Sequence, residues 1–501
     1  MTVTRIGYVG TDGRSLLAAL DTSRATSELY PGDYQGVVVR GTPAMAPWAE
    51  RLQWPVDFIP TRFNSMEDYA QALIQAFDQG KLDVALIMPE GLIFQGLVDR
   101  VAEAGHGDKI IGPDSRGAFI EADKIACKRL CRDAGIPVAP AWCEVDAKDY
   151  EAVLRTALDY LHFFGGVVLK YPYSAGGKGA RIILNTWDIR DVYDLLITDY
   201  KKDYISLSGK KGPWPLLIEA RLAGVEISFT ILVDKQGNFQ ILPTAMDYPE
   251  RFEGPPGIDN PITGGMGSIS PHPLESPALM RLAEETLARP LVEALKRQGI
   301  LRPCVLYPGC FVSFDDNFQP RGIRVCEINI RPGEPEFQPV VKRLRNLGPL
   351  VQAMAAGTLD QVKPEVREDQ ISLCVALVTG PGGPKQQKGY PWSLTKGEPL
   401  EIDAAYFDKK KITVIPSAMD FNEGEFKSDG SRVAFLVANA TVKEGQPRAR
   451  AAETLRQRLL GAYDHGKIRV IPRENQAGNR LALRRDIGLH YEKAEALQPG
   501  K

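Results

Sequence analysis

Strand-like and helix-like patterns alternate along the first 112 residues of the chain. Short apolar runs typical of buried strands are separated by stretches in which apolar residues recur at helical spacing. The predicted strands are residues 5–9, 37–39, 83–88 and 109–111, and the predicted helices are residues 15–20, 66–77 and 92–104. This alternation favours a parallel sheet covered by helices. We therefore predict an N-terminal α/β domain at residues 1–112.

The middle of the chain predicts a core domain that carries an inserted lid. A helical stretch at 116–134 is stopped by Gly135-Ile136-Pro137. Two strand-like runs then flank a glycine-rich segment, which predicts a hairpin with a mobile tip. We assign the core to residues 113–346 and the lid to about residues 126–196. The segment 247–270 is rich in Gly and Pro, and so long a stretch without regular structure is usually a functional loop.

The last third of the chain predicts a further α+β domain, at about residues 347–495. Strand-like runs occur at 371–378 and 432–437, and a helical stretch occurs at 453–463. The fold class expected from the whole pattern is α/β and α+β multidomain.

Composition narrows the function classes. A chain of 501 residues suggests roughly three or four domains. Its net charge of -2 provides no global basic field for nucleic acid or an anionic membrane, and no run approaches the ~20 apolar residues that cross a bilayer. Seven cysteines without a CxxC pattern are typical of reduced thiols. We expect a cytoplasmic protein, monomeric or homodimeric, that binds small molecules and neither nucleic acid nor membrane.

The strongest local signal is a strand-like run in which Glu327, Asn329 and Arg331 share one face, because side chains alternate along a strand. The other face, with Cys326 and Ile328, is apolar. Carboxylate and amide oxygens suit a hard cation such as Mg²⁺, which binds through one or two protein oxygens plus substrate phosphates. A solvated sheet face is the alternative for the run taken alone.

A second signal is Lys170, which ends a strand-like run and precedes the glycine-rich loop Ser174–Gly179. Backbone N–H groups of such a loop can close over phosphate oxygens while lysines neutralise the charge. The loop is not a GxxxxGK[ST] P-loop, since no Ser or Thr follows Lys178. Alone, it is equally typical of a flexible hairpin tip.

The order of these motifs resembles the ATP-grasp fold with its preceding α/β domain, and in detail the glycinamide ribonucleotide synthetase family. The segment 82–99 resembles that family's strand, Pro-Glu turn and helix, and Asp123-Lys124 matches its domain junction. Further resemblances are Thr263-Gly264-Gly265-Met266-Gly267 for TGGMG, Leu306-Tyr307-Pro308-Gly309 for LYAG, Arg331-Pro332-Gly333-Glu334-Pro335-Glu336 for RFGDPE, and Arg485-Asp486-Ile487-Gly488 for KDIG. The resemblance covers nearly the whole chain.

The resemblance implies an ATP-dependent ligase that joins glycine to 5-phosphoribosylamine through an acyl phosphate. Lys124 and Lys170 would contact ATP phosphates, Glu219 would lie in the adenine hinge, and Glu226 would bind ribose. The closing loop would use Ser174, Gly176, Gly177, Lys178 and Gly179. Glu327 and Asn329 would hold Mg²⁺ or Mn²⁺, and Lys170 and Arg331 would be catalytic.

The acceptor substrates would meet the remaining motifs. By resemblance, Gly10, Gly13 and Arg14 would bind the phosphate of the amine at a helix N-terminus. The other implied substrate-binding residues are Asp247, Thr263, Gly264, Gly265, Met266, Gly267, Gly309, Arg331 and Glu336. A Rossmann dinucleotide site is a poor alternative here, because the spacing is GxxG rather than GxGxxG.

Departures from the family pattern concentrate at this acceptor end. They are Asp12 for Gly, Ser15 for Glu, residues 248–251 within the DHKR motif, Ile262 for Asn, and Glu334 for Asp. A divergent enzyme with the family's substrates and a relative that joins a different amine or amino acid both fit these changes. A nucleotide-binding regulator without catalysis is a third hypothesis.

Overall fold

The computed structural model describes residues 3–62, 64–173, 179–208, 214–257, 259–380, 389–392, 395–471, 480–489 and 491, with backbone alone for 199–208. The N-terminal domain is a five-stranded parallel sheet in the order β3-β2-β1-β4-β5. Its elements are β1 (Thr4–Gly10), α1 (Gly13–Arg24), β2 (Tyr34–Arg40), α2 (Met45–Arg51), β3 (Asp57–Ile59), α3 (Met66–Asp78), β4 (Val84–Ile87), α4 (Glu90–Phe94), α5 (Leu97–Val101) and β5 (Ile110–Ile111). The predicted α/β fold is confirmed.

Two helices lead from this domain into the core, α6 (Phe119–Ala122) and α7 (Lys124–Asp133). Asp123 caps α7, since its Oδ1 accepts hydrogen bonds from the N–H groups of Ile125 and Ala126, both at 3.0 Å. The cap fixes Lys124 as the first residue of the helix.

The lid is a four-stranded antiparallel sheet in the order β6-β9-β7-β8 with two helices. Its elements are β6 (Trp142–Asp146), α8 (Tyr150–Phe164), β7 (Val167–Lys170), β8 (Ala180–Ile183), α9 (Ile189–Ser208) and β9 (Pro215–Ala220). Its own hydrophobic cluster runs from Cys143 to Ile218. The expected lid range was about 126–196. Helix α7 instead buries Cys127, Leu130 and Cys131 in the core cluster, and Leu216 and Ile218 of β9 pack in the lid cluster.

The core sheet has the order β10-β15-β11-β12, with β16 paired to β15. The elements of this region are β10 (Val225–Ser228), β11 (Ile231–Val233), β12 (Phe239–Ile241), β13 (Met246–Asp247), β14 (Gly267–Ser270), α10 (Pro277–Ala283), α11 (Arg289–Arg297), β15 (Cys304–Phe314), β16 (Pro320–Asn329) and α12 (Phe337–Arg343). Strands β13 and β14 are not part of this sheet. They pair with one another, and β14 pairs with β17 of the C-terminal domain.

The C-terminal domain has two antiparallel sheets. One has the order β13-β14-β17-β22-β19 with β24 paired to β17, and the other has the order β20-β21-β18-β23. The elements are α13 (Leu347–Ala356), β17 (Gln370–Thr379), β18 (Lys396–Ile402), α14 (Ala404–Lys409), β19 (Thr413–Pro416), β20 (Met419–Asn422), β21 (Glu425–Asp429), β22 (Arg432–Thr441), α15 (Arg448–Asp464), β23 (Ile468–Val470) and β24 (Leu481–Ala482). Because β13 and β14 extend the first sheet, the ends of the segment 247–270 belong to the C-terminal domain structurally.

Two large hydrophobic clusters join the domains outside the lid. One packs α1 and the N-terminal sheet against α12, α13 and the C-terminal sheet. The other packs the opposite face of the N-terminal sheet against α7, α10, α11 and the core sheet. None of the helices in the described ranges is long and apolar enough to span a bilayer.

Candidate active site

Strand β16 provides the oxygen-bearing face expected from the sequence. Glu327 lies opposite Gly309 of β15, and Asn329 lies opposite Tyr307. The Asn329 amide donates to the Tyr307 carbonyl oxygen at 3.2 Å. Burial raises the pKa of the Glu327 carboxyl, but Lys124, Lys170 and Arg331 outweigh that effect and hold its pKa below the ordinary value. The strand therefore presents an ionised carboxylate beside an amide oxygen.

Cys326 does not share the apolar core face with Ile328, contrary to strict alternation. The β15–β16 register slips at this point, because Gly309 pairs with Glu327 while Cys310 pairs with Val325. Such a β-bulge re-aims the extra residue. Cys326 Sγ consequently lies 3.5 Å from Lys170 Nζ, while Ile328 stays in the core.

Two lysines converge on this strand. The Lys124 N–H donates to the Pro172 carbonyl oxygen at 3.2 Å, which joins the start of α7 to the end of β7. Desolvation lowers the pKa of Lys124, and the charge of Lys170 adds to the effect. Lys170, whose side chain is 5% exposed, lies 2.6 Å from Glu219 Oε2. Burial alone would lower the pKa of Lys170, but the acidic groups of Cys326 and Glu219 raise it.

The expected closing loop begins where β7 ends. Ser174, Gly176, Gly177 and Lys178 lie outside the described residues, and Gly179 accepts a hydrogen bond from the Tyr171 N–H at 3.0 Å. Lys170 pairs with Ala180 across the β7–β8 hairpin. The base of the hairpin thus adjoins the crevice that contains Lys124 and Glu327.

Two further acids lie on strands beside the crevice. Glu219, on β9, is buried and bound to Lys170. Glu226, on β10, is exposed and pairs across the sheet with Phe311. Desolvation by the crevice walls and the neighbouring carboxylates, Glu250 first among them, raise the pKa of Glu226 to about 7.

Arg331 is held by two carboxylates. Its Nε lies 3.1 Å from Glu90 Oε2, and its NH2 lies 3.3 Å from Glu121 Oε1. Glu121 also accepts a hydrogen bond from the Ile330 N–H at 2.8 Å. Sequence reasoning did not assign Glu121 a role, because its short segment FIEA resembles any helical turn. The pair of acids fixes the guanidinium directly after the Glu327–Asn329 face.

The start of α1 is occupied by groups of the protein itself. The Gly13 N–H donates to Glu334 Oε1 at 3.1 Å. Arg14 is buried, with Nε 2.9 Å from Asp12 Oδ1 and NH1 bonded to the Pro332 carbonyl oxygen. Gly10 lies against Pro89, which leaves no space for a Cβ. In this structure, the N–H and guanidinium expected to bind a phosphate contact the side chains of Glu334 and Asp12.

The glycine loop from Thr263 to Gly267 lies between the core and the C-terminal domain. Thr263 Oγ1 accepts from the Gly265 N–H at 3.1 Å and donates to the Pro249 carbonyl oxygen at 2.8 Å. Met266 is buried, and its carbonyl oxygen accepts from the Ala376 N–H of β17. The loop is therefore braced by hydrogen bonds on both sides.

Arg432 of β22, in the C-terminal domain, donates hydrogen bonds to this loop. Its NH1 bonds the Gly264 carbonyl oxygen and lies 3.0 Å from the Glu334 carbonyl oxygen, while NH2 lies 2.7 Å from Glu334 Oε2. Since Glu334 also caps α1 at Gly13, one carboxylate joins three domains. The sequence carries no motif around Arg432 that marks this role.

Acidic side chains also line the floor near the loop. Asp247 adjoins Glu336, and burial followed by the charge of Glu336 raises the pKa of Asp247 well above its ordinary value. Burial likewise raises the pKa of the Tyr307 hydroxyl, which also adjoins Glu336. Gly309 faces Glu327, and an added Cβ would lie 3.8 Å from its Cγ.

Two comparisons identify the class to which this arrangement belongs. Residues 122–337 match the family described as phosphoribosylglycinamide synthetase, ATP-grasp (A) domain. The fold resembles the crystal structure of phosphoribosylamine–glycine ligase from Thermotoga maritima, with a TM-score of 0.67, 23% identity, and coverage of 97% of this chain and 100% of that chain. An N5-carboxyaminoimidazole ribonucleotide synthetase in complex with ADP is more distant, at TM-score 0.56 and 14% identity over 93% of this chain and 98% of that one. The chain is an ATP-grasp protein.

Sequence relatives define the family within that class. The chain is 31% identical over 362 residues to the phosphoribosylamine–glycine ligase of Caldanaerobacter subterraneus subsp. tengcongensis, which covers 72% of this chain and 78% of that protein. It is 28% identical over 368 residues to the enzyme of the same name from Rhodopirellula baltica, covering 73% and 78%. The chain belongs to the phosphoribosylamine–glycine ligase family of ATP-dependent carbon–nitrogen ligases.

Proposed function

We propose that this protein joins glycine to 5-phosphoribosylamine and yields glycinamide ribonucleotide, ADP and phosphate, a step of purine biosynthesis. Family membership supports the substrates. The single observation in the structure that supports the chemistry is the convergence of Glu327, Asn329 and Lys124 with Lys170 beneath the β7–β8 hairpin. That set of groups suits a nucleoside triphosphate with a divalent cation.

The reaction requires activation of a carboxylate. Glycine's carboxylate oxygen attacks the γ-phosphorus of ATP, which forms glycyl phosphate and releases ADP. The amine then attacks the acyl carbon, loses a proton, and expels phosphate as the amide forms. Lys124 and Lys170 would neutralise the phosphate oxygens, and Arg331, fixed by Glu90 and Glu121, would position a carboxylate or the phosphoryl group.

Glu327 and Asn329 fit a Mg²⁺ or Mn²⁺ ion. One carboxylate held ionised and one amide oxygen on the same strand face are donors that a hard cation prefers. Within the described ranges no cluster of three or more His, Cys, Asp or Glu side chains could hold a metal ion, in keeping with a cation that takes further oxygens from phosphates. Such an ion would neutralise charge on the transferred phosphoryl group.

A second candidate is a ligase of the same mechanism that takes another amine. The observation that favours it is at α1, where Glu334 occupies the Gly13 N–H and Asp12 pairs with Arg14. An amine without a phosphate would need neither group. The motifs Gly10, Thr263, Gly264, Gly265, Met266 and Gly267 would then contact a different acceptor.

The decisive experiment is an acceptor panel. Phosphate release is measured with ATP, glycine and freshly generated phosphoribosylamine, and then with other amino acids and other amines. Turnover with the first pair above all others is expected. Turnover with another pair alone would replace the substrates and keep the ligase, and tight ATP binding without turnover on any pair would favour a regulator. We further propose a cytoplasmic monomer or homodimer, consistent with seven free cysteines, all within the described part.

A further inference from the structure

Lys128 is a buried lysine that the proposed chemistry does not use. It lies one helical turn after Lys124 on α7, and its side chain is 4% exposed. Lys128 Nζ lies 2.5 Å from Glu219 Oε1 and donates to the Val325 carbonyl oxygen at 3.2 Å. It therefore connects α7 to β9 of the lid and to β16, two residues before Glu327.

Glu219 is shared between two lysines. Lys128 takes Oε1 at 2.5 Å and Lys170 takes Oε2 at 2.6 Å, while the carboxylate is 3% exposed. Burial would raise the pKa of Glu219, but Lys170 and then Lys128 outweigh it and lower the pKa. Two lysines and one carboxylate sum to one formal positive charge.

We propose that Lys128 is a positioning residue for nucleotide binding, because it neutralises Glu219 and so leaves the charge of Lys170 available to ATP phosphates. The inference rests on the proposed function, which assigns Lys170 to those phosphates. Without Lys128, a buried Lys170–Glu219 pair would be neutral and joined by a strong charge-assisted hydrogen bond. Lys170 would then turn toward phosphate only by leaving Glu219 as an unpaired buried charge.

The alternative is that Lys128 only holds α7 to β16 through the Val325 carbonyl oxygen. The net charge of the Lys128, Lys170 and Glu219 positions distinguishes this structural role from the proposed charge-neutralising role. Lys128→Met removes the positive charge and leaves a neutral Lys170–Glu219 pair, whereas Lys128→Met combined with Glu219→Gln restores one net positive charge. A purely structural lysine would not be rescued by neutralising its partner.

The test is isothermal titration of MgATP without any acceptor substrate. The single variant K128M is expected to bind ATP about tenfold more weakly or worse, since one charge near the phosphates is lost. The double variant K128M/E219Q is expected to recover most of that loss, and Lys128→Arg should bind close to wild type. Lys467→Met, which breaks an ion pair with Asp403 in the C-terminal domain, is the matched control and should bind as wild type does. Circular dichroism melting verifies that each variant is folded.

Two results would overturn the proposal: K128M that binds ATP as wild type does, or a double variant that binds as weakly as K128M. The order of ATP affinities among the variants tests the role of Lys128 without any acceptor substrate. A wild-type protein that binds ATP but does not ligate glycine would therefore contradict only the proposed substrates. A wild-type protein that binds no ATP would defeat both.

Discussion

Gly265 is a residue of the glycine loop where both the backbone conformation and the surrounding atoms oppose a side chain. Its φ of +95° lies in the left-handed region that favours glycine. A Cβ at this position would overlap Pro335 Cδ and lie 3.3 Å from both Asp247 Oδ1 and the Glu334 carbonyl oxygen. The neighbouring Gly264 differs, because its added Cβ would lie 3.4 Å from the Arg432 guanidinium, an ordinary contact. Gly264→Ala is therefore a control for Gly265→Ala, because it makes the same chemical change at the adjacent position.

The magnitude follows from two additive effects at Gly265. A left-handed backbone costs an L-residue about 1–2 kcal/mol, and forcing an extra carbon into a packed site costs about 1–3 kcal/mol. Gly265→Ala should thus lose about 2–5 kcal/mol of unfolding free energy, whereas Gly264→Ala should lose less than about 1 kcal/mol. The loop shift should also raise the KM for the acceptor, because Asp247 and Glu334 adjoin the loop.

The assay is urea unfolding followed by circular dichroism on wild type and both variants, with acceptor KM measured in parallel. A Gly265→Ala protein that unfolds at the same urea concentration as Gly264→Ala, with an unchanged KM, would refute the reasoning from backbone conformation and close approach.

Three further outcomes are expected. Glu327→Ala should lower Mg²⁺-dependent ATP turnover roughly hundredfold or more in protein that circular dichroism shows to be folded. Glu401→Ala, which breaks an exposed pair with Arg469, should keep full activity, and equal turnover in both variants would remove the metal assignment. The pKa of Glu226 is raised from 4.5 to about 7. The wild-type protein should therefore lose unfolding free energy relative to Glu226→Gln as the pH rises through that range. If the difference in unfolding free energy between the two proteins is the same at pH 5 and at pH 8, this expectation is contradicted. Arg432→Met leaves Glu334 without its strong partner and should cost about 3 kcal/mol, measured by urea unfolding; a cost below that of Gly264→Ala would argue against the three-domain contact.

The β16 face shows how far a sequence pattern can reach. Alternation along the strand was enough to place Glu327, Asn329 and Arg331 together, because that periodicity is a local property of the backbone. The same reasoning misplaced Cys326, since a β-bulge depends on the register with β15, which no local pattern contains. The N-terminal sheet was predictable for the same reason as the β16 face, as each of its strands is a buried apolar run between helices.

Residues whose roles depend on distant partners were not predictable. Glu121 meets Arg331 across more than two hundred positions of sequence, and Arg432 reaches Glu334 from another domain. Lys128 is separated in sequence from Glu219 by nearly all of the lid. Such contacts arise when sheets and helices pack, and no spacing in the chain encodes them. For a related reason, only the packing of α7 shows that this helix belongs to the core cluster.

The central claim is that ATP activates the carboxylate of glycine within this crevice. It is tested most directly with glycine labelled with ¹⁸O in both carboxylate oxygens, ATP and freshly generated phosphoribosylamine, followed by mass spectrometry of the released phosphate. The account predicts one ¹⁸O atom per phosphate in step with amide formation. Phosphate that carries no label while amide accumulates would contradict it.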